Sequence, residues 1–250
     1  MSEETPTVVL VHGAFADASS WNGVVELLQA KGVTVSAPAN PLRGIAFDSA
    51  YIAGVLQETP GPVLAVGHSY GGAVLSNAAT DAENVVGLVY VAAFAPDEGE
   101  VLGEVTAGST DSVLNTALVS LHYPTGDGGE PAVEFAIDPA KFRDAFAADL
   151  PAEQTAVMAA TQRPVAEAAF ADRSGPPAWK RLPCWAAVAS ADTAAGTDVI
   201  HSMAERAGAK ITELEGSHVI MISQPQAVTD VILQAVAATT AETAGMAARR

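Results

Sequence analysis

The chain has 250 residues, 49% of them hydrophobic and 16% charged. That suits a single large packed core and argues against disorder. Its 29 acidic and 12 basic side chains give a net charge of −17, which makes nucleic acid and anionic membrane surfaces poor partners. The single cysteine, Cys184, excludes an internal disulfide framework, and no apolar stretch reaches the roughly 18 residues of a membrane span. Met1-Ser2-Glu3-Glu4-Thr5-Pro6 lacks the basic and apolar regions of a secretory leader, so a cytoplasmic location is expected.

In chain order, short β-rich runs alternate with helical patterns. Thr7–Val11 predicts the first strand, Ser20–Ala30 a helix, Val33–Ala37 a second strand and Ser49–Glu58 a second helix. Val63–Val66 reads as the third strand, Tyr70–Thr80 as a helix and Val85–Val91 as the fourth strand. Most of these runs are continuously apolar, as strands buried on both faces of a parallel sheet are. After about Ala95 the rhythm lapses. The stretch to Trp179 holds no convincing buried strand. It has a Gly-rich loop at Pro124–Gly129 and two helix starts with proline in the first turn, Asp138-Pro139-Ala140 and Leu150-Pro151-Ala152-Glu153. The alternation resumes with Cys184–Ala189, Thr197–Ala207, Lys210–Leu214 and Gln224–Ala238. The expected architecture is an α/β fold: a mostly parallel sheet of about six strands flanked by helices, joined by right-handed crossovers. Residues 1–94 and 180–250 would form the core and 95–179 an inserted helical cap. The Ala/Thr-rich tail beyond Thr239 is expected to fray. Cys184 reads as a buried strand thiol.

The pentapeptide Gly67-His68-Ser69-Tyr70-Gly71 lies between the third strand and its following helix. Strand, Gly-x-Ser-x-Gly, helix is the pattern of a nucleophile elbow. A serine on so tight a turn lifts its hydroxyl clear of the sheet. The helix behind it aims backbone N–H groups and a positive dipole end at the place where negative charge develops. Such a serine needs a base, and the base needs an orienting acid. Of the five histidines, His218 follows the last strand directly, and the carboxyl ends of parallel strands share one edge. His218 is therefore the expected base. His68, inside the elbow, points into the fold; His12 braces a loop; His122 and His201 read as surface or packing residues. The acid should also follow a strand. Asp192 does so after Cys184–Ala189, with Asp97 and Asp198 as rivals. His12-Gly13-Ala14-Phe15 follows the first strand, and its Ala14 N–H together with the Tyr70 N–H would form an oxyanion hole.

Together, Val9–Phe15, Gly67–Gly72, Phe94–Glu100 and Gly216-Ser217-His218 make the chain resemble the α/β-hydrolase superfamily over essentially its whole length. It is most similar to the small bacterial esterases related to plant methyl esterases and hydroxynitrile lyases. The resemblance implies a Ser69, Asp192, His218 triad with Ala14 and Tyr70 as oxyanion donors. One departure stands out: such proteins often follow the acid with a basic residue and an Ile-Pro step, whereas Asp192 is followed by Thr193-Ala194-Ala195-Gly196. The leading expectation is a carboxylesterase without metal or cofactor, acting on a small-molecule ester. Phe15, Trp21, Phe94, Phe142, Phe146 and Trp179 are the candidate pocket walls. A hydroxynitrile lyase is the second reading, although plant members carry Thr and Lys where this chain has Gly13 and Val219. A non-enzymatic small-molecule binding protein on the same fold is the third. No ligand-spaced His/Cys cluster suggests a metal, and no Gly-rich loop ending in Lys-Ser/Thr suggests a nucleotide.

Overall fold

A computed structural model describes residues 5–126 and 128–247 of the chain. The strands of its large sheet are β1 (Thr7–Val11), β2 (Val35–Ser36), β3 (Val63–His68) and β4 (Val85–Val91), then β8 (Cys184–Ala189) and β9 (Lys210–Leu214). They run parallel in the order β2-β1-β3-β4-β8-β9. Every residue of β3 and β8 is buried, which is why these two strands read as unbroken apolar runs. β2 is a short edge strand of two residues, shorter than the run Val33–Ala37 suggested. The sheet is flanked by helices. α1 (Asn22–Ala30) packs on the short α9 (Ile220–Ser223) and on α10 (Pro225–Ala247), which also lies against β3, β4 and β8; α2 (Ile45–Glu58) packs on α3 (Tyr70–Ala78); α8 (Thr197–Arg206) packs on β8 and β9. The tail expected to fray is instead helical to Ala247. Its scattered alanines, the strongest helix formers, favour the helix, and Thr239 is buried with its hydroxyl on the Ala235 carbonyl.

The segment between β4 and β8 is not purely helical. It contains α4 (Leu102–Ala107), α5 (Phe142–Phe146), α6 (Ala152–Thr161) and α7 (Ala168–Ala171). It also contains β5 (Leu118–Tyr123), β6 (Ala132–Ile137) and β7 (Val165–Ala166), an antiparallel sheet in the order β5-β6-β7. The expectation of a cap made of helices alone is corrected here. The missed strands are half-exposed, so they lack the continuous apolar run of a buried strand. Pro124–Gly129, read as a loop, is the connection of the β5–β6 hairpin; Asp127 within it lies outside the described residues. The insertion is tied to the loop after β2. Arg43 pairs with Glu134 at 2.8 Å, the Ala166 N–H donates to the Leu42 carbonyl, and Arg163 donates to the Asn40 carbonyl. No helix among the described residues is long and apolar enough to cross a membrane.

Candidate active site

Because the six strands are parallel, the loops that leave their carboxyl ends share one edge. Ser69 follows β3, His12–Phe15 follow β1, Asp192 follows β8 and His218 follows β9. Ser69 has φ 52° and ψ −124°, a left-handed conformation that costs a non-glycine residue on the order of 1–3 kcal/mol. The surroundings enforce it. The Ser69 N–H donates to the Val91 carbonyl, and the Ser69 carbonyl accepts from Gly72 and Phe94. The turn also demands glycine at its two flanks. A Cβ on Gly67 would stand 2.7 Å from the Gly72 nitrogen, and one on Gly71 would strike the Val11 carbonyl oxygen.

His218 and Asp192 are both almost fully buried. His218 Nδ1–H donates to Asp192 Oδ2 at 2.7 Å. The other carboxylate oxygen of Asp192 accepts the N–H groups of Ala194 and Ala195, each at 2.9 Å. The unusual Thr193-Ala194-Ala195-Gly196 loop thus wraps its backbone around the acid. The rivals are engaged elsewhere. Asp97 is ion-paired with Lys180 at 2.5 Å. Asp198, in the first turn of α8, accepts from Ser109 and Thr110.

Ser69 and His218 line one small cavity with Ala14, Phe15, Tyr70, Phe94, Leu114, Phe146, Phe170 and Ala195. Its free space is ≈ 10 Å³, about that of one water. Phe15, at φ 59°, meets Phe146 edge-on at 6.1 Å and stacks with Phe170 at 6.4 Å. Phe15 also borders a groove of ≈ 500 Å³ between the loop after β1 and α6. Leu114 and Phe170 border a second cavity of ≈ 110 Å³ under β5 and β6. Tyr70 opens α3, so its N–H has no acceptor within that helix. With Ala14 on the same wall, two backbone segments edge the space beside Ser69. The Tyr70 hydroxyl donates to Asp48 Oδ2 at 2.8 Å, and Asp48 also accepts the Arg43 N–H. Burial, with the Asp48 charge beside it, pushes the Tyr70 phenol far above its ordinary range. This buried pair anchors the start of the helix that follows the serine.

Of the six aromatic residues expected to wall the pocket, Phe15, Phe94 and Phe146 line the cavity, and the other three do not. Trp21 is buried edge-on to the His68 ring. Phe142 packs on Phe146 at 5.2 Å. Trp179 donates its Nε1–H to the Pro96 carbonyl, with Lys180 and Arg206 near its ring. Aromatic residue type marks apolar volume but not where that volume lies. Phe170, Leu114 and Ala195 were missed; nothing in their local sequence separates them from ordinary core.

The remaining histidines divide as their positions suggest. His68 Nε2–H donates to the His218 carbonyl at 3.0 Å, and the rings stand 4.7 Å apart. Burial holds His68 neutral, far below the usual imidazole range. His12 accepts the Asn40 N–H on Nε2 and donates from Nδ1 to the Gly13 carbonyl, both at 2.9 Å. Burial lowers its pKa to about 4. His122 is exposed on β5, and His201 on α8 faces Glu205 and Glu213. No cluster of His, Cys, Asp and Glu suited to a metal occurs among the described residues.

The family model described as "Alpha/beta hydrolase family" matches residues 8–231. The chain belongs to that family. Solved structures share the fold along nearly their full length. Methylketone synthase I from tomato matches with a TM-score of 0.75 at 21% identity, covering 94% of this chain and 99% of that one. Polyneuridine aldehyde esterase matches with 0.76 at 22%, covering 92% and 99%. A methylesterase from Arabidopsis matches with 0.73 at 23%, covering 93% and 99%. None of the curated proteins matches the chain.

Proposed function

We propose that the chain is a cofactor-independent serine carboxylesterase acting on small to medium carboxylic esters in the cytoplasm. The observation that carries this reading is that His218, hydrogen-bonded to the buried Asp192, lines the same cavity as a serine held on a strained turn. Ser69 Oγ attacks the ester carbonyl and His218 Nε2 takes its proton. The tetrahedral oxyanion rests on the Ala14 and Tyr70 N–H groups; losing one such donor costs about 3 kcal/mol of transition-state stabilisation. His218 returns the proton to the departing alcohol. A water, deprotonated by the same imidazole, then releases the acid from Ser69. Asp192 holds the imidazole in the tautomer with its proton on Nδ1 and stabilises the imidazolium. The aromatic walls leave room for little besides a water, so substrate enters by moving Phe15, Phe146 or Phe170. The adjoining cavity and groove then offer space for the acyl and alcohol portions.

That two of the structural relatives are esterases by name supports this reading. The lyase alternative meets a steric objection. A side chain at position 13 would begin with a Cβ 2.7 Å from Ser69 Cβ, so the threonine of the plant lyases does not fit without displacing the serine. A binding protein would not need a buried carboxylate hydrogen-bonded to a histidine beside the serine. The experiment is hydrolysis of p-nitrophenyl acetate by the wild type and by Ser69→Ala. Turnover should vanish in the variant while its circular dichroism is unchanged. A folded Ser69→Ala protein with normal turnover would overturn the assignment.

A further inference from the structure

The insertion reaches beyond the pocket wall to the loop that carries the base. Asp149 lies in the turn between α5 and α6, and it is exposed. Its Oδ2 accepts the Ser217 N–H at 3.0 Å, and its Oδ1 accepts the Ser217 hydroxyl. Ser217 immediately precedes His218. A Cβ on Gly216 would stand only 2.8 Å from Asp149 Oδ2, so the carboxylate sits tightly against this loop. Partial burial of the carboxylate raises the pKa of Asp149, but hydrogen bonding from Ser217, together with Ser223 and a backbone N–H, holds the carboxyl below its usual value. The turn itself is pinned. The Leu150 N–H donates to the Ala147 carbonyl, and Arg143 Nε donates to the Leu150 carbonyl. Three residues before Asp149, the Phe146 ring packs 5.1 Å from the His218 ring. One short segment of the insertion therefore touches the imidazole on its ring and clamps the residue next to it.

His218 is otherwise held by two polar contacts: Asp192 at Nδ1 and His68 at its carbonyl. Neither contact reaches Ser217. On its other side the Ala191 N–H holds the Gly216 carbonyl at 3.0 Å, and Ser217 itself is held by the Asp149 carboxylate. We infer that Asp149 is a positioning residue, through which the insertion fixes the loop bearing the general base. This rests on the esterase reading above. Its consequence is that the insertion tunes kcat as well as substrate choice.

Asp149→Ala removes both acceptors. The expected result is a fall in kcat on p-nitrophenyl acetate of about 10²-fold, the scale of an ångström-sized misplacement of a catalytic group, with KM changed less than threefold. The rate of fluorophosphonate labelling of Ser69 should fall in parallel, because that reaction also needs the base. Asp149→Asn should restore most of kcat, since its Oδ1 accepts the Ser217 N–H and its Nδ2 donates to the Ser217 hydroxyl. Ser217→Ala should cost less than Asp149→Ala, and adding it to Asp149→Ala should cost nothing further, as expected for residues in one contact. Asp149→Ala and Asp149→Asn with wild-type kcat would refute the inference, as would equal losses in both with a lowered Tm. An inactive, unlabelled wild type would instead refute the esterase reading.

Discussion

Asp192→Asn tests the acid because the surrounding bonds leave the new amide one orientation. In the wild type Oδ1 accepts two backbone N–H groups, from Ala194 and Ala195, each at 2.9 Å. An asparagine keeps its carbonyl oxygen there; turning the amide round would set its NH2 against two donors. The Nδ2 group must then face His218 Nδ1, where Asp192 Oδ2 stood at 2.7 Å. The imidazole responds by taking the other tautomer, with Nδ1 as acceptor and its proton on Nε2. Nε2, the nitrogen proposed to act as base, then has no free lone pair with which to take the Ser69 hydroxyl proton. Geometry is preserved and base strength is not. The expected fall in kcat is up to about 10⁴-fold, equivalent to roughly 5 kcal/mol of activation free energy at 1.36 kcal/mol per tenfold. The assay is steady-state hydrolysis of p-nitrophenyl acetate, with near-UV circular dichroism to establish that the loop and core are intact. Turnover within tenfold of wild type in a folded Asp192→Asn protein would refute the tautomer argument. If Asp97→Asn were crippled instead, the acid would follow β4.

Three other perturbations have defined outcomes. Gly13→Ala places a methyl 2.7 Å from Ser69 Cβ and 3.0 Å from His68 Nδ1; overpacking of this kind costs about 1–3 kcal/mol, and esterase turnover should fall with Tm, whereas full activity would show that the loop yields freely. His12 is neutral in the folded chain, with a pKa of about 4 against 6.5 for an ordinary imidazole, so its contribution is present above pH 6.5 and is lost as pH falls from 6.5 toward 4. The loss is on the order of 3 kcal/mol, and urea unfolding of His12→Gln should show a shallower decline over that range; an unchanged slope would remove His12 from the acid sensitivity. Phe146→Ala opens the wall of the Ser69 cavity, so the butyryl-to-acetyl rate ratio should rise even as removal of a buried ring lowers stability by about 3–5 kcal/mol; equal losses for every acyl length would make Phe146 purely structural.

Four strands of the large sheet, Thr7–Val11, Val85–Val91, Cys184–Ala189 and Lys210–Leu214, are found where the sequence predicts them. Most are short apolar runs bounded by breakers. The elbow was legible for a related reason: Gly67 and Gly71 stand where backbone touches backbone, and only one residue type fits. The insertion was less legible. β5 and β6 are half-exposed strands around a Gly-rich turn, and their signal is a weak alternation that a search for buried runs passes over. Asp149 left no local mark at all, since its partner Ser217 is 68 residues away. Trp21, Phe142 and Trp179 show the limit from the other side. Their chemistry demanded burial, and they are buried, but burial in a core and burial in a pocket wall look the same in one dimension.

The central claim is that Ser69 is a nucleophile activated by His218. The most direct measurement is covalent trapping of the purified wild-type chain with a fluorophosphonate, followed by peptide mass spectrometry. The account predicts one phosphonyl adduct, on the peptide at Ser69, that is absent from Ser69→Ala and forms far more slowly in His218→Ala. An unlabelled, folded wild type, or an adduct on another serine that persists in Ser69→Ala, would contradict it.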